Sequence, residues 1–319
     1  MRAYQISAFD QPPRMVEIDR PEPSDGEVLI RIEACGLNFA DLLMAVGKYQ
    51  DIPPLPATMG LELAGRVVGL GPGVSRLALG QRVAAYSGQG GLADFSAVAE
   101  NRCLPIPDSM PATEAAGFQV AYGTSHLALD HCARLRPGET LLVTGAAGGV
   151  GLTAVEIGRL MGARVIACAR GPEKLEVARA AGADVLIDSD TPDLRERLKD
   201  LGGVDVVYDT IGGALFTPCF RACRPEARYL VIGFAGGEVQ QIPANHLLVK
   251  NITVIGLNWG GYLRFNPEAL TGSLATLIGW YEAGRLRPHV SHVLPLDRVE
   301  DALELLRARK STGKIVVTP

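Results

Sequence analysis

The chain has 319 residues, 47% of them hydrophobic and 21% charged, enough for two domains and a large core. A formal net charge of −4 gives no electrostatic case for nucleic acid or an anionic membrane as a partner. No apolar run is long enough to span a bilayer.

The opening, MRAYQISAFD, has no signal-peptide pattern and reads as a first strand. Residues 1–110 look β-rich. Strands are expected over Val28–Ala34, Ala64–Gly71 and Gly80–Tyr86, punctuated by Pro21, Pro23, Gly26, Pro53, Pro54, Pro56, Pro72 and Gly73. Short strands at this spacing suggest a small barrel-like domain. From Pro111 the texture changes to an Ala-rich helix running to Leu129, with proline in its first turn.

Thr140 to Gly151, TLLVTGAAGGVG, then reads as a buried strand, a glycine-rich turn and a helix start. Gly145, Gly148, Gly149 and Gly151 would surround the first free backbone N–H groups of that helix, a spot suited to a pyrophosphate. In the G-x-G-x-x-G pattern the first glycine would fall at Ala146, so the turn alone is also compatible with a plain strand-to-helix connection.

Beyond Gly151 the chain alternates between helix and strand. Strands are expected at 164–168, 184–187, 204–208, 228–232 and 252–257, with helices over 152–162, 172–181, 192–200, 213–223 and 243–250. Together with the strand that opens Thr140–Gly151, these make a six-stranded, doubly wound parallel sheet of an α/β protein, its ligand crevice past the strand carboxyl ends. The tail offers a helix over 267–283, a strand near 290–294, a helix over 296–309 and a last strand over 314–317. The six cysteines contain no CxxC pair and read as reduced cytosolic thiols. The closest two, Cys219 and Cys223, would be neighbours on one helix face. The five histidines show no triad or metal spacing.

Several stretches resemble the zinc-independent medium-chain dehydrogenase/reductases of the NADPH:quinone oxidoreductase (ζ-crystallin-like) group. They are Ala34-Cys35-Gly36-Leu37-Asn38-Phe39-Ala40-Asp41-Leu42-Leu43, Gly60-Leu61-Glu62, Ala146-Ala147-Gly148-Gly149-Val150-Gly151, Val206-Val207-Tyr208-Asp209-Thr210-Ile211-Gly212-Gly213 and Gly313-Lys314-Ile315-Val316-Val317. The resemblance implies a six-stranded Rossmann domain (116–261) inserted in a GroES-like β-barrel substrate domain. That domain would be built from 1–115 and the returning 262–319.

Zinc-dependent members of that superfamily carry a cysteine in G-x-C-x-[ST]-D and a histidine in G-H-E. Here Asn38 and Leu61 occupy those positions and Ala40 replaces the hydroxyl residue, so no catalytic zinc is expected; residues 86–110, with Cys103 alone, offer no structural zinc lobe.

For the cofactor, the tip of the second strand, Cys168-Ala169-Arg170-Gly171-Pro172-Glu173-Lys174, lacks the acid that accepts from an NAD ribose. Arg170 and Lys174 would instead hold a 2′-phosphate, and the resemblance adds Ser189 and Arg309. The alternative is that Arg170 and Lys174 are solvated surface charges and Glu173 grips an NAD ribose. The expected NADP(H) contacts also include the turn itself (Gly145, Ala146, Ala147, Gly148, Gly149, Val150, Gly151), and Gly233 and Phe234 past the fifth strand.

The resemblance places Asn38 and Tyr49 at the nicotinamide as the catalytic pair, with Thr124 hydrogen-bonding the cofactor. The bland alternatives are a turn residue, a half-buried aromatic and a helix cap. Tyr208 and Asp209 would end the fourth strand at the crevice or be structural, and Asn258–Arg264 would form a pocket wall or a hinge. No nucleophile–base pair is evident, so the expected chemistry is direct hydride transfer to a quinone. An enone or 2-enoyl-thioester reductase and a non-catalytic, crystallin-like NADPH-binding protein are the alternatives. The expected partners are a small quinone or activated alkene and, through edge strand 252–257, a second copy of the chain.

Overall fold

Prolines and glycines cut the N-terminal segment into short strands. These are Arg2–Ile6 (β1), Arg14–Glu17 (β2), Glu27–Gly36 (β3), Ala57–Thr58 (β4), Glu62–Leu70 (β5), Arg82–Tyr86 (β6), Phe95–Ala99 (β7) and Cys103–Pro105 (β8), with helix Phe39–Ala45 (α1) between β3 and β4. Two helices follow, Ala112–Ala115 (α2) and Phe118–His126 (α3). Strand and helix then alternate through Thr140–Thr144 (β9), Gly149–Leu160 (α4), Arg164–Ala169 (β10), Pro172–Ala180 (α5), Val185–Asp188 (β11), Leu194–Asp200 (α6), Val204–Asp209 (β12), Phe216–Ala222 (α7), Cys223–Val231 (β13), Ala244–Lys250 (α8) and Thr253–Gly256 (β14). Tyr262–Phe265 (α9), Pro267–Glu282 (α10), Val290–Pro295 (β15), Val299–Arg307 (α11) and Lys314–Thr318 (β16) complete the chain. The computed structural model describes all 319 residues, which form two units, Met1–Val120 with Pro288–Pro319 and Ala121–Arg287.

In the first unit a seven-stranded sheet runs β15-β16-β3-β5-β6-β8, with β7 pairing β3, and a small sheet runs β2-β1-β4. The C-terminal strand β16 is antiparallel to the end of β3, pairing Val316 with Gly36 and Val317 with Cys35. One core packs Cys35, Leu37, Met44, Met59 and Leu61 against Leu296, Val299, Ile315 and Val317, so the C-terminal end of the chain supports the start of α1.

The second unit is the expected parallel sheet, with order β11-β10-β9-β12-β13-β14. Every residue of β9 is buried, as a central strand covered on both faces requires. Its neighbours on either side are β10 and β12, so the chain direction across the sheet reverses there and the carboxyl ends of β9, β10 and β12 open a crevice.

Three details differ from the sequence expectation. The helix over 111–129 is broken between α2 and α3. A Cβ on Gly36 would strike Ala116 O, and the Lys314 stem packs against Gly117, so the chain is pinned at the break. Residues 127–132 then widen into a π-helix. The division between the units falls at 287/288 rather than 261/262. Helix α10 stays with the second unit, where Ser273 Oγ meets His126 Nδ1 at 2.9 Å and Trp280 packs edge-on against the His126 ring. Cys223 heads β13 instead of sharing the Cys219 helix, although its thiol still donates to Cys219 O at 3.6 Å.

Candidate active site

The glycine turn is prearranged by its neighbours. Gly145 has φ 62°, and a Cβ there would collide with Thr210 Oγ1; a Cβ on Gly151 would collide with Gly145 O. The positive φ falls on Gly145 and not on Ala146, whose methyl is fully buried and whose N–H donates to Cys168 O at 3.2 Å. That is why alanine serves at the position of the first motif glycine. Gly148 caps α4 with no side-chain hydrogen bond, and a Cβ on it would meet nothing closer than Gly145 O at 3.4 Å. The open N-terminus of a 12-residue helix is therefore presented over the sheet end.

Beneath the turn lies a closed polar network. Buried Asp209 accepts from Thr144 Oγ1 (2.6 Å), Ile211 N (3.0 Å), Gly212 N (3.0 Å) and Tyr229 OH (2.7 Å). Thr210 Oγ1 donates to Thr144 O at 2.9 Å. Tyr208 OH and Ser125 Oγ share a buried hydrogen bond of 2.9 Å. Asp209 thus ties the ends of β9, β12 and β13 together, and Tyr208 ties β12 to α3. Gly233 and Phe234 follow β13 and fold back along the β12 turn, where Gly233 N donates to Asp209 O at 3.3 Å and Ala235 N to Thr210 O at 3.1 Å. Phe234 is exposed. Thr124 is buried on α3, and Trp259, from the Asn258–Arg264 stretch, packs on neighbouring Gly123.

At the tip of β10, Arg170 is exposed and its Nε donates to Asp190 at 3.1 Å. Asp190 and Asp188 are acids the sequence reading did not weigh. Asp188 Oδ2 accepts Gly171 N at 3.1 Å and Oδ1 accepts Asp190 N at 3.0 Å, which closes the loop between β10 and β11. Lys174 is half-buried on α5 and Ser189 half-buried beside Asp188, so Arg170, Lys174 and Ser189 share this end of the sheet. Arg309 belongs to the first unit, in a left-handed conformation (φ 55°) just after α11.

Asn38 is the N-cap of α1, and it stands in a cluster that sequence reasoning missed. Its Oδ1 accepts from Lys314 Nζ at 2.8 Å; its Nδ2 donates to Glu62 Oε1 at 2.9 Å and to Gly36 O at 3.2 Å. Lys314 Nζ also donates to Leu37 O (2.7 Å) and Glu62 Oε1 (2.8 Å), and Glu62 Oε2 accepts Val120 N at 3.1 Å. Lys314 and Glu62 are both buried. Asp41 is fully buried as well. Its Oδ2 accepts Asn38 N at 2.7 Å, whereas Oδ1 closes no hydrogen bond of ordinary geometry, although the Leu61 N–H faces the carboxyl. Burial raises the Asp41 carboxyl from 3.8 to about 7, with Glu62 adding to the rise and the Asn38 and Leu61 amides and Lys314 opposing it. Tyr49 packs half-buried against the same core. Burial, with Asp51 and Asp41 adding to it, raises its phenol above the ordinary value.

This donor set does not fit zinc. Leu61 is a core hydrocarbon, the Asn38 amide is engaged with Lys314 and Glu62, and no three His, Cys, Asp or Glu side chains gather as a ligand group. No helix is long and apolar enough to cross a membrane.

Two family descriptions match the chain, "Alcohol dehydrogenase GroES-like domain" over residues 24–108 and "Zinc-binding dehydrogenase" over residues 149–275. Quinone oxidoreductase-like protein 2 of Bos taurus is 38% identical over 311 residues, covering 96% of this chain and 89% of its own. The synaptic vesicle membrane protein VAT-1 homolog of Homo sapiens is 32% identical, covering 94% of this chain and 80% of its own. The quinone oxidoreductase of Thermus thermophilus, solved also in complex with NADPH, superposes with a TM-score of 0.90 at 35% identity over all of both chains. With a six-stranded doubly wound sheet, a separate GroES-like unit and relatives of this kind along its whole length, the chain belongs to the medium-chain dehydrogenase/reductase family, with quinone oxidoreductases among its near relatives.

Proposed function

We propose that the protein is an NADPH-dependent oxidoreductase that passes hydride to a small quinone without a metal. The observation that carries the reading is a preformed dinucleotide turn in a chain whose ligand-equivalent positions, Asn38 and Leu61, cannot bind zinc. The cofactor supplies the hydride from its nicotinamide; the chain's own residues bind, orient and exclude water. The N–H groups at the start of α4 take the pyrophosphate, and Arg170 with Lys174 takes the 2′-phosphate, for which Arg170 must leave Asp190. Both partners of that ion pair are exposed, so breaking it costs about 0–1 kcal/mol, less than one charge-assisted bond to phosphate returns. Ser189 and Arg309 join that phosphate site, Gly233, Phe234 and Thr124 contact the cofactor further along, and Asn38 and Tyr49 serve its nicotinamide end.

A quinone is electrophilic enough to take hydride unaided and then a proton from solvent. Reduction of an enone or 2-enoyl thioester is the second reading. Tyr49 favours it, as a phenol kept neutral can protonate the enolate. NADPH consumption with 1,4-benzoquinone, an enone and an enoyl-CoA separates the two. The first reading expects the quinone to be turned over fastest, and a clear preference for the enoyl thioester would replace it with the second.

The reading includes a homodimer. Strand β14 pairs only with β13 and leaves a sheet edge, next to Leu248 and Val249, which are 78% and 75% exposed on α8. Light scattering should give twice the 33.8 kDa chain mass, and a proline at Val254 should return the monomer. A wild-type monomer at micromolar concentration contradicts the dimer.

A further inference from the structure

We infer that Lys314 is a positioning residue that fixes the amide of Asn38 so that it meets the cofactor only as a hydrogen-bond acceptor. The inference rests on the functional reading above and sharpens what Asn38 does in it.

A side-chain amide has two N–H donors and one oxygen with two lone pairs. Here one Nδ2 hydrogen goes to Glu62 Oε1 (2.9 Å) and the other to Gly36 O (3.2 Å). Lys314 Nζ takes one lone pair of Oδ1 at 2.8 Å. The Asp41 N–H, which faces this side chain in the capping box, is bonded to Asn38 O at 2.9 Å, so one lone pair of Oδ1 is left for a ligand. The orientation is decided by charge and not by convention: a flipped amide would turn its NH2 to the ammonium and its oxygen to the carboxylate, losing both bonds. Lys314 cannot drift, because its three donors are spent on Leu37 O, Asn38 Oδ1 and Glu62 Oε1, and strand β16 carries it beside the end of β3.

An acceptor-only amide cannot polarise the carbonyl of a quinone or enone, which offers lone pairs and no hydrogen. It can hold a ribose hydroxyl, a carboxamide N–H or a water molecule. Asn38 therefore works on the cofactor or on a water that passes a proton onward, and electrophilic assistance to the carbonyl falls to some other group. Lys314, 276 residues away in sequence, sets that polarity.

The test is a double-mutant cycle on kcat/KM for NADPH with 1,4-benzoquinone. Lys314→Met alone leaves the Glu62 carboxylate buried without its ion partner, so it is paired with Glu62→Gln, which removes both charges. Asn38→Ala should cost about tenfold, the paired variant about the same, and the paired variant in the Asn38→Ala background less than about twofold more. An equal loss in both backgrounds overturns the inference. A second readout needs no turnover. In protein labelled with 15N-asparagine, the Asn38 side-chain NH2 signals, identified by their loss in Asn38→Ala, should exchange slowly with water and lose that protection in the paired variant. Unchanged protection also overturns the inference. If the wild type consumes no NADPH with any acceptor, the functional reading falls and the amide exchange alone decides the role of Lys314.

Discussion

Gly148→Ala should cripple dinucleotide binding and leave the fold nearly intact, whereas Gly151→Ala should damage both. At Gly151 an added methyl collides with the Gly145 carbonyl and comes within 2.8 Å of its carbon; both are backbone atoms that no rotamer change can move. Overpacking of this kind costs about 1–3 kcal/mol. At Gly148 the methyl meets only Gly145 O, at 3.4 Å, so stability should change by no more than about 1 kcal/mol. Yet Gly148 is the N-cap of α4, and a methyl there keeps a pyrophosphate off the helix N-terminus. Urea denaturation and NADPH fluorescence titration on the two variants check this. Wild-type affinity in Gly148→Ala contradicts the placement of the cofactor at this turn.

The second large effect is on stability against pH. Asp41 is buried with its carboxyl raised from 3.8 to about 7. Between those values the unfolded chain has lost the proton that the folded chain keeps, so stability falls as pH rises through the window and levels off above it. At full effect the loss is on the order of 4 kcal/mol. Asp41→Asn keeps an oxygen to accept Asn38 N and removes the titration. The variant should therefore exceed wild type in stability at pH 8, with the gap closing as pH is lowered to 4. The charged groups facing Asp41, Glu62 and Lys314, both stay in place in the variant. A gap that is constant from pH 4 to 8 shows that Asp41 ionises as it does in the unfolded chain.

Much of the fold was legible because its signals are local. The buried run Leu141–Val143, the glycine at 145 and the alternation of strand and helix pointed to the parallel sheet. The deviation at Ala146 was legible as a mismatch but not as harmless, because only the backbone shows that the positive φ belongs to Gly145. The break after Ala115 was hidden, since the Ala-rich composition favours one helix and the contact that pins it comes from Gly36. The β10 tip looks basic in the sequence because Asp190 lies in the next strand's loop, where its pairing with Arg170 is a tertiary fact.

The polar cluster was the largest omission. Asn38 drew attention as a displaced ligand position, but Glu62 and Lys314 entered only as parts of motifs. Lys314 lies 252 residues from Glu62, and nothing local relates them. The available signal was a lysine opening an otherwise apolar strand, Lys314-Ile315-Val316-Val317. A charge so placed needs a buried partner.

Metal-free hydride transfer from NADPH is tested most directly by the oxidation of NADPH and NADH by 1,4-benzoquinone with protein dialysed against a strong chelator and checked for metal. Turnover should persist at one NADPH per quinone, with NADPH favoured over NADH by at least about tenfold, the worth of one charge-assisted bond to the 2′-phosphate. Loss of activity on chelation with recovery on added zinc contradicts it, as does a preference for NADH.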